Sequence, residues 1–346
     1  MPEYVVNIKP EILIETLLFG FFGFVLSMVL TPLYTTLAYR YEWWKKPRSN
    51  AVTGEKATMY KKLHAAKHLR NIPTMAGVIF VASTALVTIS ANFSREETLL
   101  PLGAMLGAAL IGLLDDILNI KSFGIGIAGM RAKVKSLLLF VVAALGGLWF
   151  FAKLDIDTLN VPFIGEWQLG WLIVPLFIFV VYATANAVNI SDGLDGLAGG
   201  LAVNAFAAYA LIALIEQRYG VAGFCVALVG ALLSYTWFNI YPARFFMGDV
   251  GSFALGTALA VVAFLTDTVF ILPIIGGLFV LEAGSSALQI LSKKLRGGKK
   301  IFKIAPIHHH FEASGWPETK VTMRFWILSQ VCSVLGLIIY FLGVKG

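Results

Sequence analysis

Two asparagines, a serine and two aspartates crowd the stretch Asn186-Ala-Val-Asn189-Ile-Ser-Asp192-Gly193-Leu194-Asp195-Gly196. Apolar runs flank it, Leu169 to Ala185 before and Leu197 to Ile215 after. Polar groups in a short link between two such runs are costly and mark a place where something charged is handled. Three other segments carry similar chemistry: Asp115-Asp116; Asn239-Ile-Tyr-Pro-Ala-Arg244-Phe-Phe246-Met-Gly-Asp249-Val-Gly251; and Pro306-Ile-His308-His309-His310-Phe-Glu312. Hard carboxylates beside a pyrophosphate hold Mg²⁺ through one or two protein oxygens. Glycines let backbone approach a phosphate, and amides suit a base or sugar.

Each segment also has a plainer reading. Asp115 and Asp116 suit the water-facing end of a helix; adjacent helical residues point about 100° apart, so one at most aims into a given pocket. If both reached one pocket edge, their repulsion would suit a general base. Asp192 reads as an N-cap with Asp195 in the first turn, and Asp249 as another N-cap. Capping leaves Asn186 and Asn189 unexplained. The histidine triplet lacks zinc spacing; imidazoles donating to phosphate or sugar oxygens compete with a solvated interfacial loop. Glu282 and Gln289, seven residues apart, share one helix face, and polar groups at membrane depth need a partner or a cavity.

The elements that position these residues follow from composition. The 346 residues are 58% hydrophobic and only 14% charged, whereas soluble domains carry roughly 25% charged residues. The chain is therefore an all-α integral membrane protein, read as one polytopic domain over 1–346 without sequence repeats. A span needs about 20 apolar residues, which predicts ten: 12–38, 74–93, 97–118, 134–152, 169–189, 196–215, 219–240, 250–266, 268–292 and 324–344. The first contains Pro32, so a kink or a protruding end is expected. No secretory signal is evident, and Cys225 and Cys332 read as buried thiols rather than a disulfide.

Of the 27 Lys and Arg residues, 22 lie in or beside the connections after spans 1, 3, 5, 7 and 9. The positive-inside rule puts those connections in the cytoplasm and both termini outside. The net charge of +7 is then topology and contact with membrane lipid, not nucleic acid. All four polar segments fall on the cytoplasmic face. An Mg²⁺-dependent enzyme acting on phosphates fits this convergence, with one soluble substrate and one lipid substrate. A transporter or channel would instead place its polar groups near the midplane on interrupted helices in matching halves, and a scaffold would not need them.

Leu114-Asp-Asp116, Asn186 to Ala198, Phe246-Met-Gly-Asp-Val-Gly-Ser252 and Ala305-Pro-Ile-His-His-His-Phe-Glu312 occur in an order that resembles the polyprenyl-phosphate N-acetylhexosamine-1-phosphate transferase superfamily. Pro73-Thr-Met75 and Trp316-Pro-Glu…Arg324-Phe-Trp326 add support. The Pro-x-His-His-His-x-Glu form is similar to the phospho-N-acetylmuramoyl-pentapeptide transferase branch. That resemblance implies transfer from UDP-N-acetylmuramoyl-pentapeptide to undecaprenyl phosphate, ten spans, Mg²⁺, a homodimer and a bacterial inner (plasma) membrane. It implies Asp249 as metal ligand and catalytic residue, and Asp115 and Asp116 beside the lipid phosphate. Asn186, Asn189, Asp192, Gly193, Leu194, Asp195 and Asn239 would line the nucleotide pocket, with Phe246 stacking on uracil. Gln289, His308, His309 (catalytic) and His310 would meet the sugar–phosphate side, and Lys135 would stand nearby. The chain departs from the family at Leu69, where a lysine is usual, so Arg70 is expected to replace it. It also has Ile72 and Ala76 within the Pro-Thr-Met segment and Asn119 in place of a basic residue.

Overall fold

The computed structural model describes residues 8–44, 71–121 and 129–343. Arg70 and the run 45–70 lie outside the described residues. The chain forms α1 (Pro10–Arg40), α2 (Gly77–Ala91), α3 (Leu99–Lys121) and α4 (Ala132–Ala152). A small antiparallel hairpin follows, β1 (Thr158–Val161) and β2 (Gly165–Gln168), pairing Leu159 with Trp167. Then come α5 (Ile173–Ser191), α6 (Leu197–Ile215), α7 (Tyr219–Asn239) and α8 (Gly248–Leu265). The chain closes with α9 (Leu272–Ile275), α10 (Gly277–Leu295), α11 (Ile307–Glu312) and α12 (Glu318–Gly343).

Eight helices among the described residues are long and apolar enough to cross a membrane, and they coincide with eight of the ten expected spans. The second expected span is a 15-residue helix, α2, about 23 Å long. The ninth is broken at Gly276 into α9 and α10. Glu282 and two lysines keep α10 from reading as a plain apolar span. Helix α1 runs through Pro32 for 31 residues, about 46 Å, so it overhangs a hydrocarbon core of about 30 Å.

Helix α8 is apolar all round and buried along its length, as a central helix must be. Helices α2, α3, α5 and α6 pack around it. By contrast α1, α4 and α12 bury only narrow stripes and leave Leu17, Phe21, Leu145, Ile327 and Leu342 exposed.

Cross-links at the two ends of the bundle show how connections sort. At one end, Asn92 Nδ2 donates to Gly220 O at 2.8 Å and Gly220 N–H donates to Glu97 Oε2. There also Asn160 N–H donates to Asp267, and Phe163 N–H to Gly343 O. The connections after spans 2, 4, 6 and 8 and the end of α12 therefore lie together. The connections after spans 1, 3, 5, 7 and 9 meet at the opposite end, where all four polar segments stand.

Candidate active site

Three helices bring charge to one point. Lys135, in the first turn of α4, places Nζ 2.8 Å from Asp249 Oδ2 and 3.3 Å from Asp115 Oδ2. Its ammonium also lies over the Phe253 ring, 5.2 Å from the centroid. Asp115 is held from three sides: Met130 N–H donates to Oδ1, and Asn119 Nδ2 and the Lys135 ammonium donate to Oδ2. On the other flank, Asn189 Nδ2 donates to Asp249 Oδ1 at 3.2 Å and to Ser252 Oγ at 2.8 Å. Asp115, Lys135, Asn189 and Asp249, from four separate segments, thus form one polar cluster.

Asp116 points elsewhere, as the 100° step between neighbours requires. It is fully buried, and its Oδ2 accepts Val250 N–H at 3.2 Å. It therefore caps α8 from a different helix, satisfying one of the donors a helix start leaves open. Gly248 begins α8 with φ +69°, and a Cβ there would strike the Asp116 carboxylate. Two capping expectations are corrected by this arrangement. Asp249 lies inside the first turn of α8, after an N-cap at Met247, and its carboxylate turns sideways into the cluster. Asp192 is the C-cap of α5, while the N-cap of α6 is Gly196 in left-handed geometry.

The link Asp192–Gly196 is pinned by backbone bonds. Asp195 is buried; its Oδ2 accepts Ala243 N–H, and its own N–H donates to Glu318 Oε1. Asn239 is likewise buried, accepting Gly196 N–H at Oδ1 and donating from Nδ2 to Phe245 O. Both amide ends are therefore spent on holding walls together. Trp326 Nε1 donates to Gly196 O, and Thr322 Oγ1 to Asp195 O. The closing Trp316…Trp326 segment thus acts by anchoring the link. Leu194 is buried beneath it, and Asn186 Nδ2 donates to Tyr182 O one turn back on its own helix. Phe246 is half-buried; its N–H donates to Pro73 O and its carbonyl accepts Ala76 N–H, so the Pro-Thr-Met segment is laced to the Phe-Met-Gly-Asp segment.

The histidine triplet forms the short helix α11 rather than a loop, with His308 and His309 buried. His308 Nδ1 lies 2.7 Å from Glu282 Oε2, and His309 Nδ1 lies 2.6 Å from Glu312 Oε2. His310 Nδ1 accepts Lys303 N–H at 3.1 Å. A Cβ on Gly193 would collide with the His308 ring at Nε2; only glycine lets the link and the triplet meet so closely. Gln289 accepts Ile301 and Phe302 N–H at Oε1 and donates to Phe302 O. Its amide holds the loop before the triplet.

The expected face of Glu282 and Gln289 finds its partner in the connection that follows it. Sequence reasoning missed Ser285 and Ser292, which extend the stripe to Ile307 N–H and Lys299 O. Their spacing from Glu282, three and ten residues, was the available signal. It also missed Ser252, one turn after Asp249, and the anchoring role of Glu318.

The donor set fits a divalent cation. Two carboxylate oxygens, from Asp115 and Asp249, converge on one cationic atom, Lys135 Nζ. Among the described residues no three His, Cys, Asp or Glu side chains gather into a metal cage. A magnesium site here would be the open kind, completed by substrate phosphate and water.

A bundle of apolar helices with a carboxylate–lysine–amide cluster at one end defines a class, the multi-pass membrane transferases, and comparison with known proteins agrees. The profile of glycosyl transferase family 4 matches residues 98–267. Phospho-N-acetylmuramoyl-pentapeptide-transferase from Clostridium novyi is 37% identical over 317 residues, 91% of this chain and 93% of the relative. The enzymes of that name from Thermodesulfovibrio yellowstonii and Bacillus thuringiensis are 39% identical over 310 residues (80% and 85% covered) and 36% identical over 324 residues (92% and 95% covered). The chain belongs to the phospho-N-acetylmuramoyl-pentapeptide transferase family.

Proposed function

We propose that the cluster at the end where the odd-numbered connections meet is where phospho-N-acetylmuramoyl-pentapeptide passes from its UDP conjugate to undecaprenyl phosphate, giving lipid I and UMP. This is the first membrane step of peptidoglycan synthesis. The observation that carries the reading is the convergence of Asp115, Lys135, Asn189 and Asp249 within hydrogen-bond reach. An oxygen of the lipid phosphate attacks the phosphorus next to the sugar, and the bond to UMP breaks with its electron pair leaving on UMP. Such transfer depends on positioning and charge neutralisation more than on covalent help from the protein.

Asp249, with Asp115 beside it, would hold Mg²⁺, which would neutralise the pyrophosphate. Lys135, at the edge of the same cluster, would bring a second positive charge to a phosphate oxygen. Asn189 fixes the Asp249 carboxylate, and Asp192, Gly193 and Phe246 border the nucleotide, with Phe246 stacking on uracil. His309 and His310 meet the sugar–phosphate side, and Arg70 takes the place of the family lysine. Asp115 stands beside the acceptor phosphate, Asp116 acts through the start of α8, and the acceptor oxygen displaces UMP directly. The charge asymmetry supports a cytoplasmic site in a bacterial inner membrane. The exposed apolar faces of α1 and α12 supply area for a homodimer.

The test is UMP release by purified protein given UDP-N-acetylmuramoyl-pentapeptide, undecaprenyl phosphate and Mg²⁺. Lipid-dependent release that stops with EDTA supports the reading. UMP exchange without lipid would replace direct displacement by a phospho-aspartate route.

A further inference from the structure

Glu282 is a fully buried carboxylate on α10, and His308 beside it is fully buried too. Glu282 Oε2 lies 2.7 Å from His308 Nδ1, while Oε1 has no hydrogen-bond partner among the described residues. A carboxylate taken out of water without compensation is strongly disfavoured, so the imidazole contact decides what state this pair holds. An ionised carboxylate only accepts hydrogen bonds. It therefore demands a proton on Nδ1 and fixes which ring nitrogen faces the other way, as carboxylates behind functional histidines commonly do.

The other way leads to the site. Nε2 of His308 is turned onto Gly193, in the link that also carries Asn189 and Asp192. The ring is also braced by His309, whose centroid is 4.1 Å away and whose Nδ1 meets Glu312. Below it, Ser285 Oγ accepts Ile307 N–H at 2.9 Å, fixing the first residue of α11 to the same face of α10. Position and plane of the imidazole are thus set by packing, and Glu282 is the group that faces its Nδ1.

We infer that Glu282 is a positioning residue for the transfer: it holds His308 in the Nδ1–H tautomer, with Nε2 directed at the Gly193 link. This rests on the transferase reading of the site. Glu282 touches no substrate; it acts through His308, from inside the bundle. Its contribution belongs to the pre-arranged geometry on which the transition state depends, so its loss should appear in turnover more than in substrate binding.

The experiment joins tautomer and kinetics. Histidine-labelled ¹⁵N protein in detergent, with His308→Gln to assign the signal, reports which ring nitrogen carries the proton. The wild type is expected to show Nδ1–H at His308. Glu282→Gln keeps the shape but can donate as well as accept; it should lose the single tautomer. In this variant kcat should fall about tenfold, with KM for the UDP substrate within about twofold. Glu282→Asp keeps the carboxylate and should keep the Nδ1–H signal and more of the turnover than Gln. A wild-type Nε2–H signal overturns the inference, and so does a Gln variant that retains full kcat. Wild-type protein with the expected tautomer but no UMP release would sink the transferase reading while leaving the Glu282–His308 pairing standing.

Discussion

The ammonium of Lys135 stands 2.8 Å from Oδ2 of Asp249. Since it also reaches Asp115 at 3.3 Å, one positive charge holds together two carboxylates from separate helices. This arrangement is a cation site already occupied by a side chain. A divalent ion held there would compete with the ammonium for the same two carboxylates.

Lys135→Met should therefore separate two effects. Turnover should drop about a hundredfold, because the proposed site loses the lysine charge beside the two carboxylates. Magnesium should raise Tm more in the variant than in the wild type, since the ion is then the only cation available to the two carboxylates. Thermal unfolding across a Mg²⁺ titration, in detergent, checks this; equal shifts in both proteins would refute it.

Asp116 and Asp249 are predicted to fail differently. Asp116→Ala removes the acceptor of Val250 N–H inside the bundle, a loss of about 1–3 kcal/mol, so Tm should fall by several degrees. Asp116→Asn retains an acceptor and should recover most of that stability. Asp249→Asn should leave Tm nearly unchanged and reduce UMP release about a thousandfold. Parallel melts and assays of the three variants distinguish a helix cap from a reacting group.

Gln289→Ala should loosen the loop between α10 and α11. The amide makes three backbone bonds to Ile301 and Phe302, and the exposed Lys299, Lys300 and Lys303 lie in that loop. Limited trypsin digestion should cut there several times faster in the variant, with protection partly restored by Gln289→Glu through its remaining acceptors. Unchanged cleavage would show that Ser292 and His310 suffice to hold the segment.

Much of this was legible from residue types alone. Long apolar runs mark the spans, and the lysine and arginine asymmetry predicts that four polar segments share one end. The polar face through Glu282 and Gln289 likewise announces a partner. The division of labour was not legible. That Asp115 and Asp116 would diverge follows from the 100° step between helical neighbours, but not which of them joins Lys135 and which caps α8. Asn239 and Asp195 read as ligand contacts, and the backbone bonds made by the Asn239 amide and by Asp195 Oδ2 are a second task that residue type alone does not announce. Which partner an amide finds depends on tertiary approach, and Gly193 and Gly248 hide that approach by having no side chain. The break at Gly276 was missed because length and hydropathy see one apolar run across it.

Asp267, between α8 and α9 at the opposite end, offers a pH test. Burial holds its carboxyl above the ordinary range, opposed by the Asn160 N–H, with nearby Glu166 raising it and Arg218 lowering it. A folded-state pKa above the unfolded value means the folded protein binds the proton more tightly. Its contribution is therefore most favourable below the unfolded value of about 3.9 and is lost as pH rises through the folded pKa. Asp267→Asn keeps an acceptor for Asn160 and tolerates the left-handed φ of +47°. The variant should be more stable than wild type at pH 7, with the gap closing as pH falls. A constant gap in Tm between pH 4 and 7 would refute the assignment.

Gly193 and His308 supply the sharpest test of how the site is assembled. A Cβ at residue 193 would overlap the imidazole at Nε2, so Gly193→Ala must push the link and the triplet apart. The cost of that single change should be large in both Tm and turnover, since α11 is also tied to α10 through Glu282 and Ser285 and cannot retreat freely. His308→Ala alone removes the ring and leaves Glu282 buried without it, which costs stability for a different reason. Combined, the two changes should cost less than their sum, because the methyl group then fills space the ring has vacated. A double-mutant cycle on Tm and kcat should give a coupling of about 0.5–3 kcal/mol. Strict additivity would mean that the link and the triplet do not touch in the working protein, and that the single site argued from their contact is in fact two.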